Sequence, residues 1–285
     1  MLRPICEPVE LPLGVSISAE RVLIRPDHPE IGSFMHFHDV AELVLFRRVS
    51  GEFIAGGARH RLGPGALTFT PSMHHHDFLL DRGAMEWVLV QADPFLVEGL
   101  ARQLGMARLQ HPFCAWPTRE ARDRMCMLAD WLVEAVGSRD DGASERLLEL
   151  LLIAAAEAPE AEATTSGPPQ RQFGRVLPAL EALRSAPTEP LTMDAAAALC
   201  RLSPGYFSRR FRRVMGMTFT DYARIYRLHL GARRIVATDN PVSEIAYGLG
   251  FSSPSHFSAR FRERFDMTPR EYRAAARRRR RGEGE

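Results

Sequence analysis

Hydrophobic and polar positions change period twice along this chain. Between residues 15 and 92, apolar positions come in short runs: VSISAERVLIR, AELVLFRRVSGEFIAGG, ARHRLGPGALTFTPS and MEWVLVQA. The runs are broken at Gly51, Gly56-Gly57 and Gly63-Pro64-Gly65, which predicts antiparallel strands in a small barrel or sandwich. Beyond residue 94 the apolar spacing lengthens to three and four, predicting helices over 94–104, 118–136 and 143–156. In the second of these, Met125, Leu128, Leu132 and Val136 share one side. The third carries Leu147, Leu148, Leu150, Leu151 and Leu152, too many for one buried stripe. That excess predicts packing on two sides, one of them against a second subunit in a homodimer. Residues 158–170 are rich in Pro, Ala, Ser and Thr without periodicity and read as an interdomain linker. From residue 173 onward the pattern is helical.

In this helical region a twenty-residue stretch occurs twice. SPGYFSRRFRRVMGMTFTDY, residues 203–222, returns fifty positions later as SPSHFSARFRERFDMTPREY, residues 253–272. Each copy is preceded by a short helical stretch and a tight turn, and each opens with Ser-Pro, a helix-start signal. Helix, tight turn and helix make a helix-turn-helix unit. At 100° per residue, Phe207, Phe211 and Val214 share the inner side of the second helix, while Gly205, Ser208, Arg209 and Arg212 lie opposite. In the second copy Phe257 and Phe261 face inward, and Ser255, Ser258, Ala259 and Arg262 face outward. Small, hydroxyl and Arg side chains suit a DNA major groove, where Arg binds guanine bidentately or a phosphate. Between the copies, residues 218–238 predict a linking helix of roughly 30 Å, near the roughly 34–36 Å repeat of DNA.

Charge sharpens this picture. Residues 1–170 hold 15 Arg against 24 acidic residues, a balance of −9, and residues 171–285 hold 22 against 11, a balance of +11. Only the C-terminal segment is suited to a polyanion, and double-stranded DNA is the expected partner. All basic residues are Arg. Cys6, Cys114, Cys126 and Cys200 form no C-x-x-C pair, which argues against a disulfide framework or zinc ribbon and fits a reducing cytoplasm. No run has signal-peptide or membrane-span character, so a soluble, cytoplasmic protein without membrane partners is expected.

The region of residues 191–273 resembles the DNA-binding domain of the AraC/XylS family of bacterial transcription regulators. The resemblance is carried by EIAYGLGFSSPSHFSARFRERFDMTPREYR, residues 244–273, and above all by Ile245-Ala246, Gly250-Phe251, His256-Phe257-Ser258, Phe261, Phe265, Thr268-Pro269 and Tyr272-Arg273. It implies two helix-turn-helix units joined by a linker helix, with base-contacting positions at Gly205, Ser208, Arg209, Ser255, Ser258 and Ala259. Two departures stand out. Ala259 replaces a common Arg and Asp266 a common Gly, which makes the first copy the expected discriminating reader.

The N-terminal region offers a second candidate site. HFHDVAE at residues 36–42 places His36, His38 and Glu42 at even spacing, on one face of an uninterrupted strand. With His76 from the HHH run they form a candidate first shell for a divalent metal. The set resembles the cupin pattern H-x-H-x3-E followed by G-x5-P, here Gly65 and Pro71, and a later His. Met73 stands at a usual Gly and the closing Asn is missing. The same four residues are also candidates for lining an effector pocket.

The expected fold is therefore α+β multidomain. Residues 1–157 form a cupin-like β-barrel with flanking helices, for effector binding and dimerisation. Residues 158–170 are the linker, and residues 171–285 an all-α domain with two helix-turn-helix units joined by a linker helix. The expected function is sequence-specific transcription regulation controlled by a small-molecule effector, without catalytic residues. No cofactor is required, a divalent metal being the one candidate, and RNA polymerase is a candidate partner. The alternative is a metal-dependent cupin enzyme tethered to a DNA-binding domain.

Overall fold

The computed structural model describes residues 5–6, 11, 15–28, 36–38, 40–164, 174–189 and 191–280. Contacts divide the chain into two compact units that separate in sequence at residues 170/171. The first unit is built on two sheets. One has the order β1 (Ile5–Cys6), β3 (His36–Phe37), β8 (His76–Leu80), β5 (Gly51–Ala55), β6 (Ala58–Leu62) and β11 (Ala163–Thr164). The other has the order β10 (Phe113–Ala115), β7 (Leu67–Thr70), β4 (Ala41–Arg48), β9 (Met85–Ala92) and β2 (Ile17–Ile24). All pairs are antiparallel except β1 with β3. At the β5–β6 hairpin Ala55 pairs with Ala58, leaving a two-residue loop of Gly56 and Gly57 with φ of 58° and 84°. Positive φ at both positions is what a type I′ turn demands, and glycine meets it without strain.

Strand alternation then divides the apolar side chains between two cores. On β4, Leu43 and Leu45 join a core with helices α1 (Pro94–Gln103), α2 (Arg119–Gly137) and α3 (Asp141–Glu157). Val44 and Phe46 point the other way, toward Phe53, Ala55, Leu62 and Leu80 of the opposite sheet. By the same alternation Glu42 lies on the sheet-to-sheet side.

Two expectations need correction. The predicted linker does not begin at residue 158. Ala158 and Ala161 are buried, Ala161 N donates to Cys114 O at 2.9 Å, and Ala163 and Thr164 pair with His60 and Arg59. An edge strand added through backbone bonds and two small buried side chains needs no apolar periodicity, so the pattern could not disclose it. The rest of the expected linker, 165–170, lies outside the described residues. Nor do His36, His38 and Glu42 share one strand: β3 and β4 belong to different sheets, and the chain crosses between them.

The second unit is helical: α4 (Leu177–Ser185), α5 (Met193–Leu199), α6 (Pro204–Met215), α7 (Phe219–Ala237), α8 (Val242–Tyr247), α9 (Pro254–Phe265) and α10 (Pro269–Arg280). The repeat is a repeat of packing. Phe211 meets Tyr222 edge-on with centroids 5.9 Å apart, and Phe261 meets Tyr272 in the same way at 5.3 Å. Thr218 and Thr268 cap the helices that follow, accepting from Asp221 N at 3.1 Å and Glu271 N at 3.3 Å. Glu271 completes a capping box by accepting from Thr268 N at 2.8 Å. Ser253 likewise accepts from His256 N at 3.1 Å, whereas Ser203 makes no side-chain cap bond. There the fixed φ of Pro204 at the first helical turn starts α6 instead. Both copies end in a left-handed residue, Gly216 at φ 72° and Asp266 at φ 54°.

Candidate nucleic-acid interface and buried histidine site

Helices α6 and α9 each bury one side and leave the other in solvent. Phe207, Phe211 and Met215 are fully buried, as are Phe257 and Phe261. Opposite them Gly205, Arg209 and Arg212 are exposed and Ser208 half-buried; Ser255, Ala259 and Arg262 are exposed and Ser258 half-buried. The two outer faces are unequal. On α6, Arg210 donates to the Tyr206 hydroxyl at 2.6 Å and lies over its ring, while Arg209 and Arg212 are exposed. On α9, Arg260 is engaged by Glu263 at 2.7 Å. Between them, the 19 residues of α7 make a strut of roughly 28 Å.

In the first unit the chain crossing brings four groups together. His36 pairs across the sheet with His76, their ring centroids 4.2 Å apart, and His38 lies 4.9 Å from His76. One ring nitrogen from each of the three lies within 4.8 Å of the others. Glu42 enters from the opposite sheet, one carboxylate oxygen 3.2 Å from His38 Nε2 and the other 3.3 Å from His76 Nε2. All four residues are buried. The far sides of the rings meet backbone carbonyls: His38 Nδ1 lies 3.1 Å from Val40 O, and His76 Nδ1 lies 3.2 Å from His74 O. Gln91, aligned with Glu42 across β4 and β9, donates to its carboxylate at 3.1 Å.

Burial opposes the charge of Glu42, but His38 and His76 outweigh it and hold the carboxyl well below its ordinary value. Burial pushes His76 down to about 4; the carboxylate of Glu42 opposes this and the positive charges of its two His neighbours add to it. Near neutral pH this pairs a buried carboxylate with a neutral imidazole. Gln91 is the residue that sequence reasoning missed, because only strand register brings it to Glu42. Among the arginines of this unit, Arg47 pairs with Asp130 at 2.6 Å and Arg59 with Glu52 at 2.5 Å, while Arg25, Arg48 and Arg61 are exposed. Burial raises the thiol of Cys114 to about 12 and also raises Cys126 and Cys200, which disfavours the reactive thiolates of a redox sensor.

Two helix-turn-helix units on a common strut, joined to a β-sheet unit with a buried polar site, define a DNA-binding protein with a sensory domain. Comparison with known proteins agrees. Residues 19–164, about half of the chain, match the AraC-like ligand binding domain, and residues 196–275 match a helix-turn-helix domain family. The chain belongs to the AraC family of transcription regulators. It is 41% identical over 85 residues to the regulatory protein SoxS of Escherichia coli K12, covering 30% of this chain and 79% of SoxS. It is 26% identical over 86 residues to the bifunctional transcriptional activator/DNA repair enzyme AdaA of Bacillus subtilis, covering 30% of this chain and 41% of AdaA. Among solved structures, an AraC-type regulator from Chromobacterium violaceum matches 37% of this chain and 95% of its own, at 28% identity and TM-score 0.36. ToxT from Vibrio cholerae, with a bound unsaturated fatty acid, matches 90% of this chain and 94% of its own, at 12% identity and TM-score 0.39. Among the described residues, no helix is long and apolar enough to cross a membrane.

Proposed function

We propose that this DNA-binding transcription regulator reads its operator through Gly205, Ser208, Arg209 and Arg212 of α6 and through Ser255, Ser258, Ala259 and Arg262 of α9. The observation that carries the reading is the solvent-facing side of both repeat copies, set opposite the buried Phe pairs. Arg209 and Arg212 make α6 the discriminating helix, and α9, with Ala259, anchors on phosphates or a thymine methyl. A small-molecule effector binds in the first unit at His36, His38, Glu42 and His76, and acts by favouring one arrangement of the regulator over another. The exposed side chains Met127 and Trp131 on α2 and Leu150 on α3 supply the contact of a homodimer. RNA polymerase is the partner at the promoter, and the cytoplasm the compartment. The test is Arg209→Ala, measured on duplexes selected from random sequence and on unrelated DNA. About tenfold or more loss is expected on the selected duplex, with little change on unrelated DNA. Equal losses on both would overturn the assignment.

A second reading, favoured by the geometry of the histidine site, is that a divalent metal sits there. Metal–ligand bonds of about 2.0–2.1 Å in a tetrahedron place ligand atoms roughly 3.3 Å apart, close to the Nε2–carboxylate separations of 3.2 and 3.3 Å. The backbone carbonyls behind both rings and Gln91 behind Glu42 are the outer partners such ligands use. The residues fit. His36, His38, His76 and Glu42 would hold the ion, which would supply a Lewis-acid anchor for an oxygen-bearing effector. Metal analysis of purified protein is expected to find one equivalent that His38→Ala loses; metal-free wild type would dismiss this reading.

A further inference from the structure

Helix α7 is more than a spacer, because its side chains grip both helix-turn-helix units. Arg227, near its middle, is half-buried and forks across the turn between α4 and α5: Nε donates to Pro187 O and Nη2 to Glu189 O, each at 2.9 Å. That turn leads into the first helix-turn-helix, α5 and α6. Its middle carbonyl, Thr188 O, lies 3.4 Å from where a Cβ would stand on Gly250, in the turn of the second unit. One helical turn beyond Arg227, Gly231 packs against Phe257 of α9. Residues four apart share a helix face, so a single face of α7 holds the entrance to the first helix-turn-helix and the reading helix of the second. The 187–189 turn is wedged between them.

We propose that Arg227 is a positioning residue: by bracketing two carbonyls of this turn it fixes the angle between α6 and α9, and so the spacing of the two DNA segments read together. The inference rests on the reading of α6 and α9 as the DNA-facing helices. A guanidinium suits the task because its planar fork bonds two acceptors at once, which a Lys ammonium on a flexible stem does less rigidly. Arg227 is half-buried, with its guanidinium taken up by the carbonyls of Pro187 and Glu189. Its loss therefore leaves the attraction for phosphates in place, in contrast to the loss of a DNA-contacting Arg.

The experiment uses the full chain and a duplex selected from random sequence by the wild-type protein. A second duplex carries five extra base pairs, about half a helical turn, between the two contacted segments. Wild type is expected to lose about tenfold or more on the insertion, because α9 or α6 must give up its base contacts. Arg227→Ala is expected to bind the parent duplex about tenfold more weakly, to discriminate against the insertion less than about threefold, and to keep wild-type affinity and salt dependence on unrelated DNA. A wild-type insertion penalty retained in Arg227→Ala overturns the proposal. Should Arg227→Ala fold poorly, Arg227→Lys, with one carbonyl bond, must show an intermediate penalty, and an unchanged one again overturns it. If wild type itself ignores the insertion, the two-helix reading fails first, an outcome distinct from failure of Arg227 alone.

Discussion

Gly231 is the position where helix propensity and packing make opposite predictions, which makes Gly231→Ala informative. Replacing a mid-helix Gly by Ala stabilises a helix by about 0.5–1 kcal/mol. Here, however, a Cβ would stand 2.8 and 2.9 Å from Phe257 Cε2 and Cζ and 3.2 Å from Leu249 Cδ1. Phe257 and Leu249 are fully buried, and the Phe257 ring is held between Phe251, 5.0 Å away, and Phe261, 5.4 Å away. The ring cannot swing out, so α9 has to move away from α7. Overpacking of this kind costs about 1–3 kcal/mol, and the net expectation is destabilisation of the second unit by roughly 0.5–2 kcal/mol. The chain itself provides a selective assay. Its three tryptophans, Trp87, Trp116 and Trp131, all lie in the first unit, so indole fluorescence follows that unit, while far-UV circular dichroism follows the helices of both units, α1–α3 included, and carries the second unit as a component with no fluorescence counterpart. In urea, with a slope of about 1–2 kcal/mol per molar, the midpoint of that dichroism component should fall by roughly 0.3–2 M and the fluorescence midpoint should stay in place. An unchanged or raised dichroism midpoint would refute the packing argument and leave propensity as the winner.

Further expectations follow from single features. Asp266 closes α9 at φ 54° where Gly216 closes α6; Asp266→Gly should therefore raise the dichroism midpoint by an amount equivalent to about 0.5–1 kcal/mol, and a lowered midpoint would show that the Asp side chain matters more than its backbone. His60, on β6 against the 158–164 strap, has its pKa lowered by burial, opposed by its bond to Ala161 and the charge of Glu160. The unfolded chain then binds more protons than the folded one below its ordinary value of 6.5, so this contribution to stability is present above that pH and is lost as pH falls below it. Hydrogen-exchange protection at 160–164, taken relative to the intrinsic rate at each pH, should fall on acidification in wild type and lose this dependence in His60→Phe; an unaltered profile would count against it. Trp131→Glu, at an exposed aromatic of α2, should shift sedimentation from dimer toward monomer while leaving the fluorescence midpoint of the remaining tryptophans nearly unmoved. A variant that still sediments as a dimer would place the contact elsewhere.

Much of the second unit was legible in the chain because its determinants are local. The twenty-residue repeat at its fifty-residue offset, the Phe positions at helical spacing and the polar outer faces depend only on residues within a few turns of one another, and the Thr218 and Thr268 caps, equally local, came to light only in the structure. The limits were local too: Ser203-Pro204 has the same pattern as Ser253-Pro254, yet only Ser253 makes the side-chain bond. In the first unit the strands of residues 41–72 and 85–92 were visible in alternation and glycine breaks. The short strands β3, β10 and β11 were not, since two or three residues carry no readable period.

For the histidine site, composition named the chemistry and topology made the geometry. His36, His38 and Glu42 suggest one strand by spacing, but they reach a common point because the chain passes from one sheet to the other between them, and sheet-to-sheet packing then sets Glu42 against His38 and His76. Gln91 joins only through the β4–β9 register. In the second unit the sequence determined which helices form and which faces they leave in water, because helical periodicity is a property of the chain alone. The tertiary structure decided how α7 holds the two copies, through a missing Cβ at Gly231 and the two carbonyls under Arg227. Contacts between residues tens of positions apart depend on where backbones cross, and no local pattern encodes that.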